Sequence, residues 1–130
     1  MAAALVISAT GGQPADDPCF ETEIREGICI VRFVEPFLRD ADRLKRLRQR
    51  CKELATKHHR FVINMDVVEY CSSVALGSLV SMRNAVDRSG GRIHLCCVDS
   101  HIVEMFNITG LHALFAWFET EAEAIAALAA

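Results

Sequence analysis

The sequence predicts an α/β fold, with a mixed sheet of about five strands, an N-terminal hairpin plus parallel central strands, packed with about four helices. Residues 20–34 hold two alternating runs around Glu26-Gly27, the pattern of a β-hairpin. After residue 40, helical stripes of apolar residues alternate with short apolar runs, and that order requires right-handed crossovers between parallel strands. A length of 130 residues suits one compact domain and leaves no room for a second core.

Residues 9–18 contain two glycines and two prolines, so residues 1–18 read as a tail or linker and 19–130 as the domain. Phe20 to Arg25 and Ile28 to Val34 form the hairpin. From about Asp40 to Lys57, Leu44, Leu47, Cys51 and Leu54 recur at steps of three and four, the stripe of a helix laid on a core. Phe61 to Met65 is nearly continuous in apolar residues, as expected of a central strand covered on both faces. A helix runs from about Ser73 to Arg88, with Leu76, Leu79, Val80 and Val86 inward and Gly90-Gly91 as its stop. Ile93 to Val98 is another buried strand. Asp99 or Ser100 caps a short helix carrying Ile102, Val103 and Phe106, closed by Asn107-Ile108-Thr109-Gly110. Leu114 to Phe118 gives the last strand, and Thr120-Glu121-Ala122-Glu123 has the form of a capping box opening a terminal helix, with Ile125 and Leu128 inward.

A hydrophobic fraction of 52% and a net charge of −3 exclude a disordered chain. Apolar stretches fall short of the ~20 residues that cross a bilayer, and the first residues lack the basic start of a secretory signal. The six cysteines have no framework spacing and no C-x-x-C, so they read as reduced, buried thiols of a cytoplasmic protein without metal or cofactor. Cys96 and Cys97, adjacent on a strand, are expected to point to opposite faces. Residues 39–60 hold nine of the fourteen Lys and Arg. The plain reading is a solvated helix face. An acidic-partner or nucleic-acid surface is the other, although a nucleic-acid footprint usually belongs to a domain that is basic overall.

The stretch Tyr70-Cys71-Ser72-Ser73-Val74-Ala75-Leu76-Gly77 leads from a central strand into a helix. Its hydroxyls therefore fall at the carboxyl edge of a parallel sheet, where open α/β folds place their sites. Unpaired N–H groups and the positive end of the macrodipole make such a start receptive to phosphate. One serine suffices as a cap, which leaves the second hydroxyl of Ser72-Ser73 unexplained. Tyr70 and Val74 read as partly core, with the remainder available for apolar contact.

Three ordered pieces of this sequence, Ser72-Ser73-Val74-Ala75-Leu76-Gly77, Gly90-Gly91-Arg92-Ile93 and Ile108-Thr109-Gly110-Leu111, resemble the signals of the STAS domain of anti-sigma factor antagonists. The resemblance covers about residues 20–128. It implies a cytoplasmic binding module that engages an anti-sigma factor of the serine-kinase type, is released when its motif serine is phosphorylated, and is restored by a PP2C-type serine phosphatase. The motif serine aligns with Ser73, and Tyr70, Ser72, Ser73, Val74, Asn107 and Thr109 become the partner-binding residues. The acidic residue of the family pattern is Ser72 here, and the following Ser/Thr and Gly are Val74 and Ala75. A non-phosphorylated scaffold or ligand-sensing STAS module is the alternative, and a homodimer through the hairpin stays open.

An enzyme would need a base beside Ser72, Ser73 or Cys71. His58, His59, His94, His101 and His112 have no spacing that supplies one and read as surface or capped histidines. The sequence also lacks a P-loop and G-x-G-x-x-G. The reading is therefore a non-enzyme.

Overall fold

The computed structural model describes residues 5–7 and 19–129. Twelve elements follow in order: β1 (Leu5–Ile7), β2 (Phe20–Arg25), β3 (Ile28–Phe33), β4 (Phe37–Leu38), α1 (Ala41–Ala55), β5 (Arg60–Asn64), β6 (Tyr70–Cys71), α2 (Ser73–Arg88), β7 (Arg92–Cys96), α3 (Ser100–Ile108), β8 (Ala116–Phe118) and α4 (Glu121–Ala129). The main sheet has the order β1-β2-β3-β5-β7-β8. β1, β2 and β3 pair antiparallel, whereas β3, β5, β7 and β8 run parallel. The five expected strands are thus present, and Leu5–Ile7 adds a sixth from within the stretch read as a tail; residues 8–18 lie outside the described residues.

Strand alternation sorts the side chains into two layers. Cys29, Val31, Phe33, Phe61, Ile63, Ile93 and Leu95 face α1, α2 and α3 in the larger core. Ile28, Ile30, Val62 and Cys96 face α4 through Ala124 and Leu128. The near-continuous apolar runs of β3 and β5 follow from this coverage of both faces. On α1, Leu44, Leu47, Cys51 and Leu54 are buried as the stripe required, and on α2 Met82, rather than Val80, completes the buried row with Leu76, Leu79 and Val86.

Local chemistry fixes the ends. Asp40 caps α1 by accepting the N–H groups of Asp42 and Arg43. Asp99, not Ser100, caps α3. At α4 the reciprocal capping box forms: Glu123 N–H donates to Thr120 Oγ1 at 3.1 Å, and Thr120 N–H donates to Glu123 Oε1 at 3.2 Å. Gly91 lies under the His59 carbonyl so closely that a Cβ would collide with backbone, which explains a glycine where α2 turns into β7.

Three expectations are corrected. Leu114 belongs to a 3-10 turn (His112–Leu114) that precedes β8. Cys97 is only partly buried, and its φ of 62° turns it out of the strand pattern, so it packs in the same cluster as Cys96 instead of on the opposite face. His94 is a buried residue, with Nδ1 3.2 Å from the Ala124 carbonyl and its ring stacked on Phe118.

Candidate functional site

The start of α2 is built by a short parallel ribbon that carried no sequence signal. β4 pairs with β6, placing Phe37 beside Tyr70 and Leu38 beside Cys71. The Pro36 carbonyl accepts the N–H groups of Glu69 and Tyr70 at 2.8 and 3.1 Å, and the Leu38 carbonyl accepts Ser72 N–H at 2.9 Å. These bonds tie the start of α2 to the segment entering α1. Period-two alternation then buries Leu38 and Cys71 and turns Phe37 and Tyr70 to solvent.

The two adjacent serines have different surroundings. Ser72 is the N-cap, its Oγ accepting Ala75 N–H at 3.1 Å and its carbonyl accepting Leu76 N–H. Ser73 is the first helical residue, exposed, with no hydrogen bond to its hydroxyl among the described residues. The first turn of α2 contains no acidic side chain, so the positive helix end is not neutralised within its own turn. Asp66 and Glu69 lie in the loop just before it, Asp66 N–H being held by Asn64 Oδ1.

Tyr70 and Val74, read from sequence as partly core, are each 46% exposed; Phe37, the strand partner of Tyr70, is 50% exposed and Val67, in the loop before β6, 45%. Exposed large apolar residues of this kind, flanking one free hydroxyl, describe a surface able to bury area against a partner. Asn107 lies in the last turn of α3 and Thr109 is its C-cap, both exposed. There Thr109 Oγ1 donates to the carbonyls of Met105 and Phe106, an ordinary helix-end role.

A polar cluster sits on the α4 face. Glu23 accepts Arg32 Nη1 at 2.6 Å and Arg25 Nη2 at 2.6 Å. Arg32 also grips Glu121 through Nε and Nη2, and Asn64 Nδ2 donates to Glu121 at 2.7 Å. Burial pushes the Glu23 carboxyl up, but the hydrogen bonds and charge of Arg32 and Arg25 outweigh it and hold the group below the usual range. The hydrogen bond from Arg32 is the largest influence on Glu121 and, with Asn64, holds it below the usual range against burial.

Cys71 is fully buried behind the site, and burial together with the nearby Cys19 pushes its thiol up to about 12. Such a thiol is almost wholly protonated at neutral pH and a poor nucleophile. Among the described residues no group of three or more His, Cys, Asp or Glu could hold a metal ion, and no helix is long and apolar enough to cross a membrane.

Several solved structures share the fold. An anti-sigma-factor antagonist (STAS) domain protein from Planctomyces limnophilus matches with a TM-score of 0.74 at 19% identity, over 84% of this chain and 96% of that one. An anti-sigma factor antagonist from Mycobacterium paratuberculosis matches with 0.74 at 20% identity, over 88% and 97%. The unphosphorylated anti-sigma factor antagonist SpoIIAA matches with 0.71 at 18% identity, over 85% and 96%. The fold also occurs as a part of a longer protein, the murine anion transporter Slc26a9, where the match (TM-score 0.66, 14% identity) covers 79% of this chain and 18% of that one. At these identities the likeness is one of fold. In sequence, the model of the STAS domain family matches residues 20–124, from β2 into α4, and the chain therefore belongs to the STAS domain family.

Proposed function

We propose that this protein is an anti-sigma factor antagonist: a cytoplasmic, non-enzymatic module that binds an anti-sigma factor of the serine-kinase type and releases it when Ser73 is phosphorylated. The observation that carries this reading is the division of labour between the two serines. Ser72 satisfies the helix end, so Ser73 is free for modification without cost to the fold.

A phosphate on Ser73 adds about −1.5 to −2 charges. It gains from the helix N-terminus, so the modified state is itself stable. For a partner covering Phe37, Val67, Tyr70 and Val74, the same phosphate is a charge that must be desolvated within an apolar contact. Asp66 and Glu69 add like charge beside it. Dephosphorylation by a PP2C-type serine phosphatase restores the binding state. Ser72 in place of the family's acidic residue keeps the capping function, because Ser and Asp are both strong N-cap residues.

Incubation with ATP and serine kinases encoded in the same genome tests the reading. Phosphate on Ser73, by mass spectrometry, and loss of partner capture by Ser73→Asp support it. Undiminished capture by Ser73→Asp overturns the switch in favour of a scaffold or ligand-sensing module.

A further inference from the structure

We propose that the outer face of α1 is a docking surface for an acidic protein segment, one presenting Glu and Asp side chains at helical spacing. Charge is segregated along the chain. Residues 39–60 carry nine cations against three anions, a net +6, while the remaining residues carry five cations against fourteen anions, a net −9. Six of the nine cations lie on α1 itself, beside only Asp42 and Glu53, in a chain that is acidic elsewhere.

Among the described residues, only two of these nine cations pair with a carboxylate. Arg50 pairs with Glu53 at 3.1 Å, and Arg43 with Glu35 at 2.9 Å. Among the described residues Arg48 has no carboxylate partner: its Nη1 donates to the buried Ser78 hydroxyl at 2.8 Å, which locks α1 to α2. Lys45 and Lys52 are exposed, and Arg46 and Arg50 each hold a buried Nε that finds no acceptor among the described residues. Lys45, Arg48 and Lys52 follow at steps of three and four, as do Arg43, Arg46 and Arg50. Like charges at such spacings repel by a few tenths of a kcal/mol per pair. An acidic partner relieves that repulsion.

α1 lies beside α2, and both start at the same sheet edge, joined by the Ser72–Leu38 hydrogen bond. A cleft of about 450 Å³ between their far ends has Ala55 and Ala85 as floor and Lys52 and Arg88 as cationic walls. With 15 residues, α1 is long enough for several turns of a partner helix. Nucleic acid fits less well, because a phosphate backbone extending beyond α1 meets a chain whose remaining surface is acidic. The docking surface does not require the Ser73 switch.

The test uses the full chain and two probes: a 20-residue helical peptide with Glu at every fourth position, and a 20-nucleotide DNA. Backbone amide NMR at low salt is expected to show peptide-induced shifts centred on residues 43–56. The affinity should fall at least about tenfold in the triple variant Lys45→Glu, Arg46→Glu, Lys52→Glu, from the summed loss of charge pairs, and likewise weaken in raised salt. Ser73→Asp should bind the peptide as wild type does, so that failure of the switch and failure of this surface are read separately. An unaltered melting temperature of the triple variant checks that it is folded, and single Lys45→Glu and Lys52→Glu variants replace it if it is not. Absence of peptide shifts, equal affinity in the charge-reversed variants, or tighter binding of the DNA overturns the proposal.

Discussion

Ser72 places its Oγ 3.1 Å from the backbone nitrogen of Ala75, and this contact separates the roles of two neighbouring serines. Replacing Ser72 by Ala removes the cap and should lower stability by about 1 kcal/mol, whereas Ser72→Asp should restore it. Ser73→Ala removes no hydrogen bond and should stay within about 0.5 kcal/mol of wild type. Urea unfolding of the three variants measures this. Equal losses at both positions would show that Ser73 is a structural residue.

Thiol reactivity divides the six cysteines in the same way. Cys97 is partly exposed, while Cys19, Cys29, Cys51, Cys71 and Cys96 are buried. Burial pushes Cys29 and Cys71 up to about 12, and Cys51 and Cys96 higher. An aromatic disulfide reagent at pH 8 should therefore titrate one thiol quickly in the native protein and the other five only on unfolding. A second fast thiol at Cys71 would revive an enzymatic role for it.

The parts of the fold legible in the sequence were those with a period. The stripe Leu44, Leu47, Cys51, Leu54 and the capping box at Thr120 are local patterns, and both formed as read. The β4–β6 ribbon has two residues per strand, too short for alternation to register, and it pairs Phe37 with Tyr70 across 33 positions of sequence. The exposure of Phe37 and Tyr70 depends on that pairing, and sequence alone read Tyr70 and Val74 as only partly available for contact. The Arg32–Glu121 fork, 89 residues apart, had no sequence signal either. Asn107 and Thr109 entered through the family motif alone, and they stand at the carboxyl end of α3.

The Arg32 cluster sets the acid limb of stability. Glu23 and Glu121 titrate below their ordinary 4.5 in the folded protein, so their contribution is complete above that pH and is lost as pH falls through the lowered folded values. Arg32→Met should cost about 2 kcal/mol at pH 7, since it strips a cation from two carboxylates while Arg25 and Asn64 remain. It should also flatten the loss of stability below pH 4.5. A variant as acid-sensitive as wild type would show that these carboxylates do not govern that limb.

A second, milder window belongs to histidine. Burial lowers His94 below its ordinary 6.5, against the opposing hydrogen bond to the Ala124 carbonyl, and burial lowers His58 as well. Both stay neutral on folding while the unfolded chain takes up protons, so stability should fall as pH drops below 6.5, by at most about 1.4 kcal/mol per pH unit for each group. His94→Gln should reduce that slope and leave the part due to His58. Denaturant midpoints at pH 7 and pH 5 give the comparison, and an unchanged slope would exclude His94 as its source.

Two glycines separate fold from surface. A Cβ at Gly91 would strike the His59 carbonyl and the Val86 side chain, and since His59 accepts Arg92 N–H at 2.7 Å its backbone cannot yield without loosening β5 from β7. Gly91→Ala should therefore cost about 2 kcal/mol. At Gly77 a Cβ meets nothing within 4 Å, and the residue is exposed within α2, so Gly77→Ala should raise stability by about 0.5–1 kcal/mol through helix propensity. Gly77 stands one turn beyond Ser73 on the same helical face, so its added methyl projects from the surface that the proposed partner covers. A Gly77→Ala protein that melts higher yet captures the partner less well would place that interface along α2 beyond its first turn. Equal capture would confine it to Ser73, Val74 and the β4–β6 ribbon.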